Sequence, residues 1–173
     1  ENCRNIVAFT DLGEGKEEWI YNDNEIYPTT GFGNQYPDNY SNTMLNDMDY
    51  NSIRSLNSVT SYLTSQGYTS GKDFEKLQKA RKLSASEYVL NSKLGFITLN
   101  ISLNANQTLA VAYQYTVIGQ DKVYQVGEFS DQSIADPNVL VTKLLKSTTI
   151  NTKMPMWDLM MKNVYNMRAY QVG

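Results

Sequence analysis

Asp47, Asp49 and Asn51 stand at alternate positions, the spacing that supplies the first three oxygen ligands of a calcium-binding loop. The rest of such a loop is missing. Ser52 takes the place of the glycine that makes the sharp turn, and Ser58 that of the bidentate glutamate that closes the shell. The string therefore reads as capping chemistry, with Asp49 or Asn51 offering a side-chain oxygen to the first turn of a following helix. A second acidic group comprises Asp11, Glu14, Glu18, Asp23 and Glu25. Two carboxylates suffice for glycoside hydrolysis, but these lie in a stretch of no regular period, where acidic side chains cap turns and face water. The chain has no histidine, hence neither the commonest general base nor the commonest zinc ligand. Its one cysteine, Cys3, has no internal disulfide partner. No nucleophile elbow or phosphate-binding loop occurs, and Gly31-Phe32-Gly33 lacks the third glycine and following helix of a dinucleotide fingerprint. The expectation is a protein without catalytic residues, cofactor or metal.

The remaining residues of chemical interest are methionines. Met154, Met156, Met160, Met161 and Met167 cluster near the end of the chain around Trp157. Trp157, Met160, Met161 and Val164 follow the i, i+3, i+4, i+7 spacing of one helical stripe. The size of Trp157 assigns it to the core. The flexible methionines are the candidate interaction surface, since thioether side chains adapt to irregular partners.

Elements must hold these residues in place. The chain has 173 residues, a net charge of −3, 12% aromatic and only 19% charged residues. Such a chain can bury a core and is too aromatic to be disordered. Lysine and arginine are scattered, so neither a nucleic-acid face nor a polybasic membrane patch is expected. No stretch reaches the ~20 apolar residues of a membrane-spanning helix. Residues 6–10 read as a strand and 14–50 as a long irregular loop. Ile53, Leu56, Thr60 and Leu63 predict a helix over 51–66 with Gly67 just past its end. Phe74, Leu77 and Ala80 predict a second helix over 73–83. Two amphipathic helices around a glycine turn imply packing, not DNA binding. Residues 88–90 and 95–99 read as strands. The alternation of Leu109, Val111, Tyr113 and Tyr115 with small or polar residues predicts a strand that turns at 119–121 and pairs with 123–129. Val111, Tyr113, Tyr115 and Trp157 are the predicted core. Residues 139–145 are a strand or a short helix, and 156–166 a helix with Pro155 in its first turn. The predicted fold is one α+β domain over 1–173, its antiparallel sheet centred on the 109–129 hairpin and covered on one face by amphipathic helices. The tetrapeptide Tyr-Gln-Val-Gly at 124–127 and 170–173 is too short to mark a repeat. Opening on Glu1-Asn2 and stopping on Gln171-Val172-Gly173, the sequence reads as a fragment of a longer protein.

The strings 109–116 and 123–130, then 143–147, and above all Trp157-Asp158-Leu159-Met160-Met161-Lys162-Asn163 resemble the SprA-type gliding-motility translocons of Bacteroidetes. Stretches 4–14, 37–42, 80–84 and 94–97 are similar to the same family, whereas 16–33 departs most. The resemblance implies a very large outer-membrane barrel forming the type IX protein-secretion channel, with soluble insertions and no catalytic residues. The chain lacks the ~10-residue strands with apolar lipid-facing positions of a barrel wall, so the resemblance points to a soluble insertion. Its expected place is the cell envelope, associated with the outer membrane, on the extracellular side in preference to the periplasmic. Its expected work is to shape or seal the conduit against other segments of the same protein and secretion-system partners, with no nucleic acid, no small-molecule substrate and no membrane insertion of its own. The alternative is a cell-surface glycan-binding or adhesive domain, with Trp19 and Trp157 as candidate sugar platforms.

Overall fold

In the first apolar run Val7 and Phe9 alternate with the small Ala8, and that difference in size sets the two faces of the main sheet. The computed structural model describes residues 3–12, 38–39, 48–131, 134 and 137–160. The elements in chain order are β1 (Cys3–Phe9), α1 (Tyr50–Arg54), α2 (Val59–Ser65), β2 (Phe74–Arg81), β3 (Tyr88–Asn91), β4 (Phe96–Leu99), β5 (Leu109–Val111), β6 (Tyr113–Thr116), β7 (Val123–Val126), β8 (Leu140–Lys146) and a 3-10 turn (Pro155–Leu159). Four strands form one mixed sheet in the order β2-β1-β8-β5; β3 pairs with β4 and β6 with β7 as separate hairpins. β1 runs parallel to β8 and antiparallel to β2, and β5 runs antiparallel to β8.

One sheet face carries Val7, Phe9, Phe74 and Val141, and Ile53, Val59 and Leu63 from the two helices close over it, with Val126 and Val139 completing the cluster. Phe9 and Phe74 are cross-strand partners whose rings lie 6.3 Å apart, a tilted pair contributing about 0.5–1.5 kcal/mol beyond its buried area. The other face is shallower: Ala8 and Leu144 pack with Met156 from the 3-10 turn, and Ala110 lies against them. The small side chain of Ala8 leaves room for the turn to lie close. On the strand beyond it, Lys146 Nζ reaches the carbonyls of Asn104, Ala105 and Gln107 and ties the 104–107 loop to the end of β8.

The architecture is therefore a mixed, largely β fold. It corrects the expected α+β arrangement of amphipathic helices over an antiparallel sheet. The helix predicted over 73–83 is β2. Cys3 pairs with Arg81, Arg4 with Ala80, and Ile6 with Leu77, so Gln78 and Lys79 together oppose Asn5. Lys79 occupies the left-handed region at φ 50°, and its N–H donates to Asn5 Oδ1 at 3.1 Å. This bulge returns Ala80 to the face of Leu77 after three residues instead of two, and so imitates a helical period. The helix predicted over 51–66 is two short helices broken at 55–58. Asp49 caps the first through Ser52 N–H. The second ends as expected at Gly67, where Gly67 N–H and Tyr68 N–H close on the carbonyls of Thr64 and Leu63. The described part of the helix predicted over 156–166 is the 3-10 turn, with proline at its start.

The expected hairpin also divides. At Ala112 the strand leaves β8 and pairs with β7 instead, so the sheet centres on β1 and β8, not on 109–129. The segment 38–39 adds a rung to β7: Asn39 N–H donates to the Gln125 carbonyl, and its side chain bonds Gly127 at both N–H and C=O. Asp38 is buried against Lys122 Nζ at 2.9 Å, and that ammonium lies over the Tyr124 ring. Apart from 38–39 and 48–50, the loop expected over 14–50 lies outside the described residues.

Candidate functional site

The β3–β4 hairpin presents unburied apolar area. Its register places Tyr88 opposite Leu99 and Leu90 opposite Ile97, so all four side chains share one face. On the other face Val89 lies opposite Thr98, and Asn91 opposite Phe96. Leu90 is 59% exposed, Val89 56% and Leu94, in the turn, 74%. Among the described elements the two strands pack chiefly on one another, whereas a two-stranded hairpin alone is marginal in water. Polar bonds hold its base. Arg81 grips Glu87 through two N–H···O bonds of 2.7 and 2.9 Å, and Ser84 N–H and Asn100 N–H bond the Glu87 side chain and carbonyl.

The Arg81 guanidinium, with help from Ser84, lowers the Glu87 carboxyl from 4.5 to about 2. A depressed carboxyl contributes stability that is complete above its unfolded value and is lost as pH falls through the folded one. The arm's base should thus survive at pH between these values, where an unbonded glutamate is largely protonated. NMR titration of the Glu87 carboxyl should give a midpoint near 2, and Arg81→Met should move it back towards 4.5. A wild-type midpoint already at the ordinary value would contradict this geometry.

The methionines form the second place of interest. Thr149, Ile150 and Asn151 join Met154, Met156, Trp157 and Met160 around a small cavity. Met156 is buried and its Sδ accepts from Ser147 N–H at 3.0 Å. Met154, Trp157 and Met160 are half-buried. The expected division is thereby altered: the side chain driven into the domain is Met156, and Trp157 stands partly open. Met161 and Met167 lie outside the described residues.

The predicted core of the hairpin needs a similar correction. Tyr113 is exposed, and Val111 and Tyr115 are half-buried. The buried positions belong to the partner strand, at Tyr124 and Val126, with Tyr124 stacked on Tyr115 at 5.2 Å. Sequence reasoning missed the Arg54–Glu128 ion pair, which fastens α1 to the segment that follows β7 and is nearly closed to water. The β3–β4 face has a local signal too: Tyr88-Val89-Leu90 and Phe96-Ile97 are apolar on both faces, with Asn91 and Thr98 the polar members of the two strands.

Of the carboxylates weighed for catalysis, Asp11 is half-buried, and Glu14, Glu18, Asp23 and Glu25 fall outside the described residues, as do Asp47 and Trp19. Among the described residues no three His, Cys, Asp or Glu side chains gather as a metal site, and no helix is long and apolar enough to cross a membrane. In comparison with known proteins, no family model and no curated protein matches the chain.

Proposed function

We propose that this chain is a non-catalytic structural domain of a gliding-motility and type IX secretion translocon, placed in the cell envelope at the outer membrane, which shapes or seals the conduit. The resemblance of its sequence to SprA-type proteins motivates the reading, and the uncovered β3–β4 arm supports it. A hairpin with Leu90, Val89 and Leu94 in water is poorly stabilised until another surface covers it. Fully burying one such side chain contributes about 1.5–3 kcal/mol. Among the described residues no third strand joins β3 and β4, so their outer edges are suited to pairing with an added strand. The occupant this reading assigns is a neighbouring segment of the same large protein or a secretion-system partner.

A photo-crosslinking residue at Leu94 tests it in cells. The expected products are crosslinks within the translocon polypeptide or to another secretion component, lost when Leu90 is replaced by lysine. Hydrogen exchange over 88–99 should also slow in the assembled complex relative to the isolated chain. Equal exchange in both, together with an uncrosslinked Leu94, would remove the arm as an interface and the reading with it.

A further inference from the structure

We propose that the methionine-lined cavity at the 3-10 turn is a site for a soft monovalent metal ion of the copper(I) and silver(I) class. The turn and its two caps bring three methionines to the lining of one small cavity. Three residues per turn stack positions three apart, so Met154, Trp157 and Met160 succeed one another along one edge. Trp157 N–H bonds the Met154 carbonyl at 2.9 Å, and Met160 N–H bonds that of Trp157 at 3.3 Å. Met156 packs against Ala8 and Leu144 of the sheet while also lining the cavity, and its sulfur accepts from Ser147 N–H. That bond engages one lone pair of the Met156 sulfur and leaves the second available. The three methionines and Trp157 line one cavity of about 10 Å³, the room of a single atom-sized guest.

The chemistry of the lining selects the guest. Thioether sulfur is a neutral, polarisable donor that favours copper(I) over hard cations such as magnesium or calcium, which require oxygen ligands. Trp157 is among the lining residues, and an aromatic ring that meets a cation with its face adds attraction for it. Coordination involves no bond breaking and no redox step: an ion exchanges solvent or a carrier ligand for sulfur.

Silver(I), which is redox-silent, is the probe. The protein is the full chain carrying Cys3→Ser, which removes its only thiol, and Trp19→Phe, which leaves Trp157 as the only tryptophan. Silver nitrate in chloride-free buffer should quench Trp157 emission saturably at one equivalent, with one silver adduct in native mass spectra. Met156→Leu should weaken binding by more than the roughly 10–100-fold that outer-shell changes cost. Met154→Leu with Met160→Leu should do the same, and those half-buried positions keep the test valid if Met156→Leu disturbs folding. Leucine preserves volume at each site, and circular dichroism verifies the fold. Unchanged silver affinity in these variants, a titration without saturation, or binding that disappears only with Met161→Leu and Met167→Leu would overturn the proposal.

Discussion

Glu128→Ala is expected to remove a large share of the domain's stability, at a cost of about 3–5 kcal/mol out of a total on the order of 5–15 kcal/mol for a domain of ordinary stability. The Glu128 carboxylate receives both terminal nitrogens of Arg54, and the two side chains are only 14% and 8% exposed. Each also holds main chain. Arg54 donates to the Val139 carbonyl at 2.7 Å and accepts, through its own carbonyl, from Val139 N–H. Glu128 Oε2 accepts from Val141 N–H at 2.7 Å. Removing the carboxylate therefore strands a guanidinium in a nearly dry place and leaves a β8 amide without that acceptor. The same reasoning gives Arg54→Met a comparable loss. Because each single change leaves the other charge uncompensated, the double variant should lose far less than the sum, a coupling of about 0.5–3 kcal/mol. Urea denaturation of the four proteins measures the cycle. Additive losses, or a Glu128→Ala variant within 1 kcal/mol of wild type, would mean the pair is not a structural clamp.

That pair also shows where sequence reading stops. Arg54 and Glu128 lie 74 positions apart, and nothing local to either marks the other. What was legible had a local cause: the apolar run of β1, the Asp49 cap, Gly67 after α2, and the strands β3 and β4. Residues 139–145 carry no period that separates strand from helix, because a short apolar run buried on both faces has none, and β8 is such a run, between β1 and β5. In β2 the bulge at Gln78-Lys79 converts a spacing of two into three, so Leu77 and Ala80 share a face as they would on a helix, whereas Phe74 and Leu77 lie on opposite faces. The hairpin failed differently. Alternation put Tyr113 and Tyr115 on one face correctly, but it could not say that the chain leaves the main sheet at Ala112, which leaves Tyr113 in water and gives the interior to Tyr124 and Val126. The methionines were legible as a group, and the 3-10 geometry that sends Met156 inward and leaves Trp157 half open was not.

Ala112 bears on the last expected result, that Gly127→Ala will cost about 2–4 kcal/mol while Gly67→Ala costs about 1 kcal/mol. Both glycines adopt left-handed backbone, at φ +78° and +92°, so both substitutions incur conformational strain. They differ in surroundings. A Cβ on Gly67 would meet nothing within 4 Å. On Gly127 it would stand 3.1 Å from the Ala112 Cβ, 3.2 Å from the Ala112 Cα and 3.4 Å from the Thr142 Cα. Two of these atoms are backbone, and no side-chain rotation relieves the contact. Gly127 lies where three strands converge: the end of β7, the break between β5 and β6, and the middle of β8. Moving it would also disturb the two bonds to Asn39 that anchor the segment 38–39. Thermal or urea unfolding of the two variants separates strain from crowding, since Gly67→Ala reports the first alone. Equal losses at the two positions would show that the strands do not converge on Gly127 as described. A larger loss at Gly127, partly recovered by Ala112→Gly, would locate the crowding at the point where the chain leaves the main sheet.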